Sequence, residues 1–162
     1  MAMMTFDELR AKYPRLNLRR VGFQCEAGWA GILDAYFAVV DSVMPPDAVY
    51  EIGQIKEKLG SLRIYDSSYG ETWASVKAVT DAHRLAEARS YHVCEYCGQA
   101  GIWSSRRGYL TTVCEDHAVR DGYRAEPVES EPYTYCDENG GWWVYDADAD
   151  VLVMSEAPDW AR

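Results

Sequence analysis

The sequence has no apolar run long enough to cross a bilayer, so no membrane-spanning helix is expected. Nothing after Met1 has the charged, apolar and small-residue succession of a signal peptide, which points to the cytoplasm. There is no even set of cysteines. The five that occur are Cys25, Cys94, Cys97, Cys114 and Cys136. An odd count with one tight pair argues against a disulfide framework and for reduced metal ligands. No Gly-rich phosphate loop, G-x-S-x-G elbow or H-E-x-x-H helix is found, so these nucleotide-binding and hydrolytic chemistries have no foothold. The H-x-E and P-C-x-x-C pairing of zinc deaminases is missing too. There is no internal repeat or low-complexity tract.

What the chain does have is length for one domain with a sizeable core, 162 residues, and many aromatics, six Trp and twelve Tyr. Its net charge of −10 is unevenly spread. Residues 121–162 hold 11 of the 26 acidic groups and only 2 of the 16 basic ones, a net of −9. Such a segment repels nucleic acid and membrane and attracts a basic protein face.

Periodicity predicts a short helix over Phe6–Lys12, stopped by Pro14. A longer one is expected near Gly28–Met44, where Trp29, Ile32, Leu33, Tyr36, Phe37 and Val40 recur at three and four before Pro45 and Pro46. Leu62–Tyr65 alternates like a half-buried strand, and Glu71–Arg89 reads as a second main helix. Strands are expected at Gly101–Ser104 and Tyr109–Val113 around an "SRRG" turn, and a short helix at Ala118–Tyr123. After a connection from Glu126 to Pro132, strands at Tyr133–Cys136, Trp142–Asp146 and Val151–Met154 form a meander. The expected class is α+β: two main helices with a small sheet, an inserted zinc-ribbon or treble-clef-like hairpin and a C-terminal β-meander. The parts divide at 1–90, 91–125 and 126–162 within one compact domain.

The strongest motif is Cys94-x2-Cys97, sixteen residues, then Cys114-x2-His117. Two close pairs joined by a hairpin-sized spacer supply the four soft or borderline ligands that a tetrahedral zinc ion takes. Gly98 suits a tight turn that aims backbone N–H groups at the sulfurs. Four protein ligands leave no open position for water, so the zinc reads as structural, contributing on the order of 10 kcal/mol to folding. The competing reading is three reduced core cysteines with a chance histidine. Glu115 and Asp116 lie between the last two ligands, where carboxylates are usually solvated or favour a helix N-terminus.

Other candidates are weaker. His83 and His92 have no nucleophile or carboxylate at a motif-like spacing and read as core or surface histidines. Arg106 and Arg107 are either a phosphate grip or a solvated turn paired with the chain's own acids. "DADAD" opens like a calcium loop, but Val151 and Ala157 occupy the positions that need Gly and Glu. "GGWWVYD" is apolar on both strand faces. Trp142, Trp143 and Tyr145, ringed by Asp146, Asp148 and Asp150, therefore make a candidate partner-binding patch, with a sheet covered on both sides as the alternative.

The segments "QIKEKLGSLRIY" (Gln54–Tyr65), "CEYCG" and "CEDH" together resemble an uncharacterised family of small phage and bacterial proteins. The resemblance covers roughly residues 20 to 120, with Leu59 and Ile64 where that family has aromatics. It implies a phage or prophage setting, a zinc-containing fold, and a basic surface element at Lys56, Lys58 and Arg63. No activity comes with it. Small acidic proteins of that setting are similar to inhibitors of host defence that occupy the basic nucleic-acid channel of a CRISPR or restriction complex.

The resulting expectation is a non-catalytic, zinc-stabilised interaction protein whose partner is a host protein or protein–nucleic-acid complex with a basic face. The alternatives are a nucleic-acid-binding zinc protein using Arg106, Arg107, Lys56 and Lys58, and a nuclease-like zinc-finger enzyme, which has no identifiable base or nucleophile.

Overall fold

The first helix, α1 (Phe6–Lys12), is fixed by its ends. Thr5 Oγ1 accepts from the Glu8 amide at 3.2 Å, and the Glu8 carboxylate accepts from the Thr5 amide at 2.7 Å. Short 3-10 turns then lead to β1 (Phe23–Gln24) and, through Ala27–Trp29, into α2 (Ala30–Val43). The apolar stripe of α2 places Trp29, Leu33, Tyr36, Phe37 and Val40 at full or nearly full burial. Together with Leu9, Leu16, Leu18, Ile55 and Leu62 they form the main core. The structure, a computed structural model, describes residues 2–162.

A long hairpin follows, β2 (Val49–Lys58) and β3 (Ser61–Tyr69), with β1 paired parallel to β2. Only its Leu62–Tyr65 stretch was visible in the sequence pattern. The register shifts between Ile52 and Gln54, so the buried Tyr50 and Ile55 stand an odd number of residues apart. A bulge at Gly53 thus breaks the period of two that would have revealed β2.

The second main helix, α3 (Trp73–Ser90), starts one turn after Gly70 with Thr72 and Ser75 in a reciprocal cap and packs on α2 and β3. Two strands, β4 (Ile102–Arg106) and β5 (Tyr109–Val113), pair antiparallel through the expected turn. Its central residues, Arg107 and Gly108, both have positive φ. The connection at Glu126–Pro127 contributes a two-residue strand, β8, against β4.

The short helix expected at Ala118–Tyr123 does not form. Val119–Arg120 (β6) and Tyr123–Arg124 (β7) instead make a tight hairpin around Asp121 and Gly122, both at positive φ. Asp-Gly is a strong hairpin signal that outweighs the weak helical pattern there. The C-terminal meander is present as β9 (Thr134–Cys136), β10 (Trp142–Asp146) and β11 (Val151–Ser155), in the order β11-β10-β9. The chain is a mixed α+β protein. No helix among the described residues is long and apolar enough to cross a membrane.

Candidate metal centre

The ligand pairs sit on two different supports. Cys94 and Cys97 belong to a knuckle after α3, in which Gly98 donates to Cys94 O at 2.9 Å and Cys94 donates to Gln99 O at 2.7 Å. Gly98 has φ +75°, a conformation that a side chain would strain. Cys114 ends β5, and a 3-10 turn over Glu115–His117 swings His117 back toward it, with the His117 amide on Cys114 O at 3.1 Å.

These supports bring all four ligand atoms within 4.8 Å of one another. Cys97 Sγ lies 3.6 Å from Cys114 Sγ, and His117 Nδ1 lies 3.5 Å from Cys94 Sγ and 3.2 Å from Cys114 Sγ. A tetrahedral ion with metal–sulfur bonds of about 2.3 Å and a metal–nitrogen bond of about 2.0 Å has edges of roughly 3.8 Å and 3.6 Å. These three spacings match such edges to within a few tenths of an ångström, and the other three lie within 4.8 Å. The cluster can therefore hold a metal ion, with Nδ1 as the histidine ligand atom. Cys25 and Cys136 lie outside it: Cys25 is packed on the main core, where burial and nearby carboxylates push its thiol up to about 12, and Cys136 is exposed on β9.

The electrostatics carry the same demand for a cation. Burial opposes ionisation of Cys94, but the backbone amides of Cys114, Cys97 and Tyr96 outweigh it and hold the thiol below its usual value. Cys97 is pushed up to about 11, by desolvation and by the adjoining sulfurs. Three sulfurs this close cannot all ionise together without a positive charge among them.

Compared with known proteins, the chain matches no family model, no curated protein and no solved structure. The site must therefore be understood from its own surroundings.

Those surroundings include residues that the motif alone did not point to. The knuckle rests backbone to backbone on the start of α2: Gly28 donates to Glu95 O at 2.8 Å, and a Cβ at Gly28 would lie 2.3 Å from both Cys94 O and Glu95 O. Next to it, Trp29 Nε1 donates to Val93 O at 2.9 Å, and the Glu26 amide donates to Glu95 Oε1 at 3.2 Å. Burial, reinforced by the charges of Glu57 and Glu26, pushes the Glu95 carboxyl up to about 7.

Arg106 holds the second ligand pair. Its Nη2 donates to His117 O at 3.1 Å and Ala118 O at 3.0 Å, while Nε donates to Tyr123 O at 3.2 Å. Arg107 lies over the Tyr123 ring at 4.3 Å. Both cations of the turn are engaged within the protein. Glu115 pairs with Arg124, and Tyr96 stacks on the His117 ring. The β4–β5 hairpin also grips the tip of β2–β3. Trp103 Nε1 donates to Leu59 O at 3.0 Å, and Thr112 Oγ1 donates to Gly60 O at 2.7 Å.

Of the residues singled out on the meander, all but Asp148 are half-buried or engaged. Trp143 and Tyr145 lie on the face that meets Tyr133, Tyr135 and α3. Trp143 stacks on Tyr135 and donates to Asp137 Oδ2 at 2.8 Å. Trp142, on the opposite face, meets Trp160 edge-on at 5.4 Å. Asp150 accepts both Arg89 Nε and Nη2 at 2.8 Å, and Tyr145 OH at 2.6 Å. Asp146 caps its own turn through the amides of Asp148 and Ala149, which leaves the Asp148 carboxylate free of any partner among the described residues. Of the basic surface element, Arg63 pairs with Glu87 and Lys56 lies over Tyr65, while Lys58 has no ion pair among the described residues.

Proposed function

We propose that this is a non-catalytic, zinc-stabilised interaction protein that docks on a basic protein face. Support for zinc comes from the donor set, three thiols and an imidazole nitrogen at the edge lengths of a small tetrahedron. Four protein ligands close the shell, which suits an ion that holds the knuckle and the β5 end together rather than one that activates water.

In the phage setting implied by the sequence resemblance, the protein acts in the cytoplasm of a bacterial host. It inhibits a nucleic-acid-binding defence complex of the CRISPR or restriction kind, its carboxylates standing in for phosphates. The observation that carries this reading is the residue 121–162 segment with its net charge of −9. Glu126, Glu129, Glu138 and Asp148 are exposed there with no ion pair among the described residues. The engagement of Arg106, Arg107 and Arg63 within the protein weighs against direct nucleic-acid binding.

The test is displacement of nucleic acid from purified host CRISPR and restriction complexes. It compares the native protein with a variant carrying Glu126→Gln, Glu129→Gln, Glu138→Gln and Asp148→Asn. Displacement by the native protein and weaker displacement by the variant are expected. Equal displacement by both would remove the acidic mechanism, and displacement of none would remove the inhibitor reading.

A further inference from the structure

On α2, β2, β3 and α3, none of which carries one of the four clustered ligands, four side chains meet at one carboxylate oxygen. Asp66 Oδ2 accepts Tyr36 OH at 2.5 Å and Tyr50 OH at 2.7 Å, and lies 3.0 Å from His83 Nε2. The Tyr36 hydroxyl also lies 2.9 Å from the Tyr50 hydroxyl and 2.8 Å from His83 Nε2. Burial alone would raise the Asp66 carboxyl, but the hydrogen bonds from His83, Tyr36 and Tyr50 outweigh it and hold it below the usual carboxylate value. An ionised Asp66 makes Nε2 the protonated nitrogen of His83.

The cluster forms one end of a cleft of about 460 Å³ between the end of β3 and the first turns of α3. Among the described residues nothing donates to Asp66 Oδ1. Met44, Val76 and Val79 supply apolar wall, and Glu71 adds a second carboxylate. Two hydroxyls of the wall have already spent their protons, Thr80 on Val76 O at 2.8 Å and Ser75 on Thr72 O at 2.9 Å. No lysine or arginine lines the cleft. The Asp66 and Glu71 carboxylates give it acceptor oxygens and a negative formal charge, and part of its wall is apolar. At the ends of the two elements that flank the cleft, Tyr69 closing β3 and Trp73 opening α3 are 82% and 83% exposed.

We propose that this cleft is a binding site for a protonated primary amine on a short apolar stem. Three donors on one compact charge match the acceptors, and methylenes match Val76, Val79 and Met44. Asp66 offers one free oxygen, so the paired contacts that favour a guanidinium are lacking. Lysine side chains and free alkylamines share this chemistry. The exposed rings of Tyr69 and Trp73, on the elements that flank the cleft, favour cations through their faces. The cleft shares no lining residue with the candidate metal centre.

The experiment is a chemical-shift titration of the metal-loaded protein with n-butylamine hydrochloride, with n-butanol as the neutral probe. Saturable shifts at Ser67, Ser68, Glu71 and Val76 are expected with the amine, and affinity lower by about tenfold or more with the alcohol. Asp66→Asn should weaken the amine by a similar factor. Because Asp66 joins four elements, Thr80→Lys serves as the second variant: it places the protein's own ammonium at the cleft and should abolish binding without touching the cluster. Equal binding of amine and alcohol, or full binding by Thr80→Lys, would overturn the proposal. The peptide Ac-Gly-Lys-Gly-NH2 separates the sources. Tighter binding than butylamine, lost in Trp73→Ala, assigns a protein lysine. Equal affinities assign a free amine, and both results support the site.

Discussion

Gly28 and Glu95 meet backbone to backbone, with the glycine amide 2.8 Å from the Glu95 carbonyl oxygen and no space for a side chain between them. The cysteine knuckle is thereby seated on the 3-10 turn that leads into the principal core helix. Its position is set by main-chain contact rather than by side-chain packing.

Gly28→Ala is accordingly predicted to destabilise the protein by about 1–3 kcal/mol, since its Cβ collides with two carbonyls that cannot rotate away. Gly31→Ala, three residues on and inside α2 with open space around it, should be neutral or stabilising by up to about 1 kcal/mol. Urea unfolding of both zinc-loaded variants checks the contrast.

Removal of Arg106 should act on the metal without touching a ligand. Arg106→Ala frees the carbonyls of His117 and Ala118 and is expected to weaken metal affinity by about 10–100-fold, measured by competition with a chelating dye. Arg107→Ala, which loses only a ring contact with Tyr123, should leave that affinity within about twofold.

Cobalt(II) substitution tests the ligand set directly. A tetrahedral Cys3His site should show strong visible absorption, and Ser in place of Cys94, Cys97 or Cys114 should shift or abolish it. Cys25→Ser and Cys136→Ser should leave it unchanged, as neither sulfur belongs to the cluster. Chelation should unfold the knuckle first, seen as loss of amide protection at Cys94 and Gly98.

The meander's attachment to α3 is predicted to depend on pH with a definite sign. The Arg89 hydrogen bond, with that of Tyr145, holds the Asp150 carboxyl below its ordinary 3.8 despite partial burial. Its contribution is therefore present above that value and is lost as pH falls through the lower folded pKa. Hydrogen exchange in β10 and β11 should be faster in Asp150→Asn than in the native protein at neutral pH, and the difference should vanish in strong acid.

How much of this could be read in the residues depends on how local the signal was. The ligand pairs, the three helices and the meander declare themselves through short spacings and regular periods. β2 did not, because the bulge at Gly53 puts its two buried residues out of phase. Ala118–Tyr123 misled because the Asp121-Gly122 turn decides that segment. His83 seemed to have no carboxylate partner because Asp66 stands on another element, seventeen positions earlier in the sequence. Gly28 carried no local mark, since what makes it necessary is a knuckle that follows far along the chain.

The grip of Trp103 and Thr112 on the Leu59–Gly60 tip spans 44 and 52 positions of sequence. On the ribosome, the β2–β3 hairpin emerges well before the residues that clasp it. Its turn stays unclasped until β5 has left the exit tunnel, and Cys114 and His117 follow directly behind. Completion of the fold is thus a late event in synthesis: a chain that stalls before residue 103 leaves an open tip and Cys94 and Cys97 with no complementary pair.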